Sequence, residues 1–242
     1  MAPFLWMLIA ALILGLLIWA AQRGAGQGAL APTAAPAQGP AAAPAQGPAQ
    51  EATYRITFST PWGGANSPAA APRDAHTGNM LLLAHSGRFH LYAAGALASD
   101  GIVETAMHGT LGGLDRIVAA AQAQGSVGAA AKAPPIAAPG SQQLELRVDA
   151  AHPYAAFVAM LAPSPDWFFG IDSVPLYSRA NSWVPRVEVP ISVWDAGSDR
   201  GTAFANEPDY AEPVRKPIAL VTEPLFRGGP RPLATLTFER VA

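Results

Sequence analysis

Between Thr53 and Arg240 apolar residues recur at every second position, a period that builds strands with one dry and one wet face. Tyr54, Ile56 and Phe58 alternate with Arg55 and Thr57, and Leu144, Leu146 and Val148 alternate with Glu145, Arg147 and Asp149. Val187, Val189, Ile191 and Val193 do the same across Glu188 and Ser192. With those runs spanning 143–148 and 186–194, further strands are expected at 79–84, 88–93, 155–161, 218–222 and 233–240, separated by turns rich in Pro and Gly. So many half-buried strands hide their apolar faces by packing sheet on sheet, so the expected class is all-β, an antiparallel β-sandwich. Pro190 lacks an amide donor and marks an edge or a bulge. One stretch keeps the helical period: Leu114, Ile117, Val118 and Ala121 share a face over 111–124, and Gly125 supplies the stop. The Ala-, Pro- and Gly-rich stretch 126–140 reads as a long surface loop.

Ahead of these strands the pattern changes. Phe4 to Ala21 is an uncharged apolar run of 18 residues, close to the ~20 a helix needs to cross a bilayer. Trp6 and Trp19 bracket it as interfacial anchors do. The Met-Ala-Pro start lacks a basic region and Ile18-Trp19-Ala20 is a poor cleavage signal, so residues 1–23 are expected to stay as a transmembrane anchor, with a cleaved signal as the alternative. Arg23 pulls the chain after it toward the cytoplasm, but a long domain translocates regardless of one charge. The chain beyond residue 23 is therefore expected to face the periplasm from the inner membrane, or to be secreted and extracellular if the segment is removed. Residues 24–52 form an Ala/Pro/Gly/Gln linker, uncharged from Gly24 to Gln50, in which Pro-Ala-Gln-Gly-Pro-Ala occurs at 36–41 and again at 44–49. The folded domain is expected over 53–242. Its partners exclude nucleic acid, because 15 Lys and Arg against 17 Asp and Glu leave no basic excess and the cations are scattered singly.

Only 13% of the residues are charged, so a gathering of carboxylates stands out. Asp166 lies in the loop 162–173, and Asp195 and Asp199 lie in Trp-Asp-Ala-Gly-Ser-Asp-Arg-Gly at 194–201. Two readings are open from the residues alone: a hard cation that takes oxygen ligands, or an ordinary Asp-rich turn. Pro163 and Pro165 restrict the first loop, and Gly197 and Gly201 permit sharp turns in the second. Asp172 is either a further metal ligand or a residue that organises its loop through amides. Trp167, Phe168, Phe169 and Trp194 read as packing residues rather than as a ligand platform. Histidines 76, 85, 90, 108 and 152 match no metal-binding spacing. His85-Ser86 with Asp74 and His76 has the residue types of a hydrolytic arrangement, but His85 and His90 flank an expected turn, so no catalytic residue is assigned and no enzyme is expected.

Several segments resemble the spondin N-terminal domain family. Tyr-Arg-Ile-Thr-Phe at 54–58, Ala75-His76, Phe-His-Leu-Tyr at 89–92, Leu-Ala-Ser at 97–99 before Gly101-Ile102, and His152-Pro153 occur in that family's order. Met-Leu-Ala-Pro-Ser-Pro-Asp-Trp-Phe at 160–168 and Trp-Asp-Ala-Gly at 194–197 are the most specific parts. The resemblance implies a C2-like sandwich with one or two short helices and one Ca2+ site at one end, with Asp166, Asp195 and Asp199 as ligands. It implies a calcium-binding, envelope-tethered binding or adhesion module whose partner is an unknown protein or glycan. A metal-dependent hydrolase of envelope substrates and a purely structural envelope protein are the alternatives. The chain departs from the animal members in having no cysteine and in reading Ala-Met-His-Gly at 106–109 where the family commonly has Ala-Glu-x-Gly.

Overall fold

The structure, a computed structural model, describes residues 50–61, 72–178, 182–205, 210–221 and 233–242, all within one compact unit, Gln46–Ala242. The apolar run 4–21 and the linker up to residue 49 lie outside the described residues. Among the described residues no helix is long and apolar enough to cross a membrane.

The strands are β1 (Glu51–Thr60), β2 (His76–His85), β3 (Val127–Ala133), β4 (Gly140–Asp149), β5 (Tyr154–Ala162), β6 (Trp167–Pro175), β7 (Arg186–Asp195), β8 (Ala219–Leu220) and β9 (Ala234–Arg240). Two helices, α1 (Asp100–His108) and α2 (Gly112–Ala123), lie between β2 and β3. Pairing is antiparallel throughout, in the order β3-β2-β5-β6-β7-β9-β1-β4, with β8 added to β7. β7 turns the sheet into a sandwich. Its residues 186–191 pair with β9 and its residues 192–195 with β6, so one strand serves both layers. The path's ends, β3 and β4, come back into contact, and the sheet nearly closes as a barrel-like sandwich.

Side-chain alternation then separates two cores. Tyr54, Ile56 and Phe58 of β1, Leu144, Leu146 and Val148 of β4, and Leu236 and Phe238 of β9 point into the space between the layers. Met80 and Leu82 of β2, Phe157 of β5 and Phe169 of β6 meet them from the other side. Phe58 stacks on Phe157 at 5.1 Å and meets Phe169 edge-on at 5.6 Å. The opposite faces of β2, β5 and β6 carry Leu81, Leu83, Val158 and Phe168 against Ile102, Leu114 and Val118 of the helices. This is why β2 and β5 are apolar runs while β1 and β4 alternate: the first pair is covered on both faces and the second on one.

Several expectations change. Residues 88–93 form no strand; Leu91 and Tyr92 are buried in the helix-side core from a loop that Asp172 pins through the Leu91 amide at 2.8 Å. The expected loop 126–140 contains β3, whose small residues carry little strand preference of their own and are held by the ladder with β2. β6 occupies 167–175, where a loop was expected to continue, and the 218–222 strand shrinks to two residues. α2 matches the helical period, and α1 is the second of the one or two short helices expected, over residues to which no helix had been assigned. Ser99 caps α1 by accepting the Ile102 amide at 3.2 Å, and Gly109 ends it at φ 66°. Gly101 and Gly113 let the two helices touch, since a Cβ on Gly113 would meet the Gly101 Cα at 2.7 Å. Pro190 is exposed on the part of β7 that pairs only with β9, an edge position for a residue with no amide to donate.

Candidate functional site

The three aspartates sit where β5 and β7 end and β6 begins. After β5 the chain turns through Pro163 and Pro165, and the Ser164 hydroxyl donates to the Leu161 carbonyl while accepting the Trp167 amide at 3.2 Å. That turn delivers Asp166 into the interior, where it has no exposed surface. Asp195 is the last residue of β7 and lies opposite Trp167 in the ladder, so register alone places it beside Asp166. Gly197 then reverses the chain at φ 72°; a Cβ there would stand 2.1 Å from the Lys216 carbonyl, so only glycine fits.

Asp166 ties the two loops together. Its Oδ2 accepts the Ser198 amide at 2.6 Å, the Ser198 hydroxyl at 2.9 Å and the Asp199 amide at 3.0 Å, and its carbonyl accepts the Ala196 amide at 3.1 Å. Its Oδ1 is equally buried and, among the described residues, accepts nothing. Asp195 Oδ1 accepts the Gly197 amide at 2.7 Å. Asp199 is buried and uses both oxygens on backbone, Oδ1 on the Gly201 amide and Oδ2 on the Tyr210 amide, each at 2.6 Å.

The electrostatics follow from crowding acids in a dry place. Burial, with the Asp166 charge beside it, pushes Asp195 up to about 6 from an ordinary 3.8, against the Gly197 amide and the Lys216 ammonium. Asp166 is also raised, first by burial and further by Asp199, against the donors of Ser198 and Asp199. Lys216 offers limited relief because its ammonium pairs with Glu212. Three carboxylates thus gather at one end of the molecule, with the Lys216 ammonium acting on Asp195. Among the described residues, however, no three Asp, Glu, His or Cys side chains converge closely enough to enclose a metal ion as they stand. Asp199 is turned onto backbone amides, and Asp166 Oδ1 and Asp195 Oδ2 accept no hydrogen bond from the described residues.

Asp172 lies six residues along β6 from Asp166, about 20 Å at strand rise. Its Oδ1 accepts the Leu91 amide at 2.8 Å, and its Oδ2 faces His90 Nδ1 at 2.6 Å and accepts the Ser173 hydroxyl at 3.1 Å. The His85-Ser86 arrangement does not form. His85 is buried with Nδ1 at 2.8 Å from the Ser86 carbonyl and Nε2 at 2.9 Å from the Asp172 carbonyl, and His76 faces the Asp74 carbonyl at 2.8 Å. Trp167, Phe168 and Phe169 are fully packed, and Trp194 is half-buried with its indole N–H donating to the Gly170 carbonyl at 3.2 Å. Sequence reasoning missed Ser198, Lys216 and Glu212. Ser198 was visible in principle as the hydroxyl between Gly197 and Asp199; the other two come from a remote segment that carries no local signal.

The family model described as Spondin_N matches residues 52–225, a span that includes Asp166, Asp195 and Asp199. The chain is 30% identical to Spondin-1 of Xenopus laevis over 204 residues, 79% of this chain and 25% of that protein. It is 31% identical to Spondin-2 of Homo sapiens over 176 residues, 71% of this chain and 53% of that protein. The chain thus spans about a quarter of the one relative and about half of the other. With the motif segments in order along an antiparallel β-sandwich and the family model covering most of the chain, this protein belongs to the spondin N-terminal domain family.

Proposed function

We propose that the protein is a calcium-binding extracellular module of the spondin type, with Asp166, Asp195 and Asp199 as the side-chain ligands. The observation that carries this reading is Asp166 Oδ1, a buried carboxylate oxygen without a donor among the described residues, beside an Asp195 pushed up to about 6. Burying a charge is costly unless it is paired, and a divalent cation removes both the missing contact and the mutual repulsion. Calcium suits the set because it takes oxygen ligands only and tolerates irregular geometry; its 6 to 8 positions leave room for backbone carbonyls and water. Asp199 joins when it exchanges an amide for the ion. The apolar run 4–21 and the linker hold the module outside the membrane, and the loops around the ion face a protein or glycan partner.

Calorimetric titration of the chelated protein with Ca2+, together with its melting temperature, tests this. Heat on binding and a rise of several degrees are expected, both lost in Asp195→Asn. No heat and no rise for the unsubstituted protein overturns the metal reading. Cross-linking with and without Ca2+ then separates a binding module, which captures a partner only with the ion, from a structural role, which does not.

A further inference from the structure

A pocket of about 850 Å3 opens on the helix side of the molecule, on a stretch separate from the aspartate loops. β2 ends at His85, and the next turn closes through the Phe89 amide on the Ser86 carbonyl at 3.2 Å. This lays Phe89 edge-on against His85 at 6.0 Å and presents Arg88 outward. The last turns of α2 form the facing wall with Ile117, Ala120 and Gln124, and Ser126 closes the base by accepting the Ser86 amide at 2.9 Å.

Three features give this pocket a chemical preference. Among the described residues Arg88 is the sole charged one that lines it, and it makes no ion pair or hydrogen bond with any of them. At the end of α2 the Gln124, Gly125 and Ser126 amides bond the carbonyls of Ala120, Gln122 and Ala121. The Ser86 hydroxyl, two residues before Arg88, is buried and has no hydrogen-bond partner among the described residues. Phe89 and Ile117 supply apolar walls, each half-buried against the helix-side core.

We infer that this pocket binds a small amphiphilic carboxylate, its carboxylate on Arg88 and its hydrocarbon body on Phe89 and Ile117. The guanidinium fork matches a carboxylate in two parallel hydrogen bonds, which a neutral head group cannot reproduce. The volume is in the range of small-molecule sites.

The test is isothermal titration of the full chain in nanodiscs with 4-phenylbutyrate, with empty nanodiscs as the blank and neutral 4-phenylbutyramide as the second ligand. Saturable binding of the acid, at least about tenfold tighter than that of the amide, is expected, and Arg88→Ala should erase that preference. Ala120→Trp, at an exposed helix position facing the pocket, should weaken both ligands while leaving the melting temperature unchanged. Equal binding of acid and amide, indifference to Arg88→Ala, or no binding at all overturns the inference.

Discussion

Asp195 is where local charge and global stability meet. Its carboxyl is raised to about 6 in the folded chain against 3.8 when unfolded, so the fold favours its protonated form. That contribution is fully present below about pH 3.8 and is lost as pH rises through about 6, and the raised Asp166 adds in the same direction. In EDTA, therefore, the melting temperature should fall between about pH 4 and pH 6, by the equivalent of roughly 1–2 kcal/mol once solvent screening of the half-buried group is allowed for. Asp195→Asn should flatten that slope while keeping the bond from the Gly197 amide. A melting series across pH in EDTA checks both; a profile of the unsubstituted protein that is flat over this window counts against the crowded-carboxylate account.

At the scale of elements, the β6–β7 hairpin is held at its two ends. Ladder pairs run from Trp167–Asp195 to Gly170–Ser192 at one end, and Tyr177 bridges Trp183 at the other. The second end is pinned from inside by Tyr54 of β1, whose hydroxyl lies 2.6 Å from the Val184 carbonyl and 3.2 Å from that of Leu176. Burial pushes this phenol up to about 12, so it remains a donor at any ordinary pH. Tyr54→Phe should keep the ring packing and take the hydroxyl donor from the Val184 carbonyl, while that of Leu176 keeps the Val184 amide at 2.9 Å, at a cost of about 1–2 kcal/mol. Urea unfolding should show a lower midpoint with an unchanged slope. β1 was legible as a strand from its alternation, but its role as a pin was not, because Tyr54 and Val184 are 130 positions apart.

For the whole molecule, β2 lies between two cores: Leu82 faces the sandwich and Leu83 the helices. Because one strand carries both, the cores should melt together. Leu82→Ala and Leu83→Ala should each cost about 2–5 kcal/mol, and each should leave a single transition seen alike by circular dichroism and tryptophan fluorescence. Separate transitions would show that the helix layer is an independent unit. The sequence by itself determined the one-sided strands β1, β4, β7 and β9, the helix α2 and the aspartate-bearing motifs, because each is written in neighbouring residues whose period or turn chemistry needs no distant partner. Only the tertiary structure decided the rest. β3 is a strand because β2 offers it a ladder, α1 packs because Gly101 meets Gly113, and residues 88–93 are a loop because the Asp172 carboxylate holds the Leu91 amide. The aspartates follow the same division. Their positions were visible in the chain, but Asp166 became a buried link between loops, and Asp195 an acid with a raised pKa, only when the pairing of β6 with β7 set them side by side where burial limits screening by water.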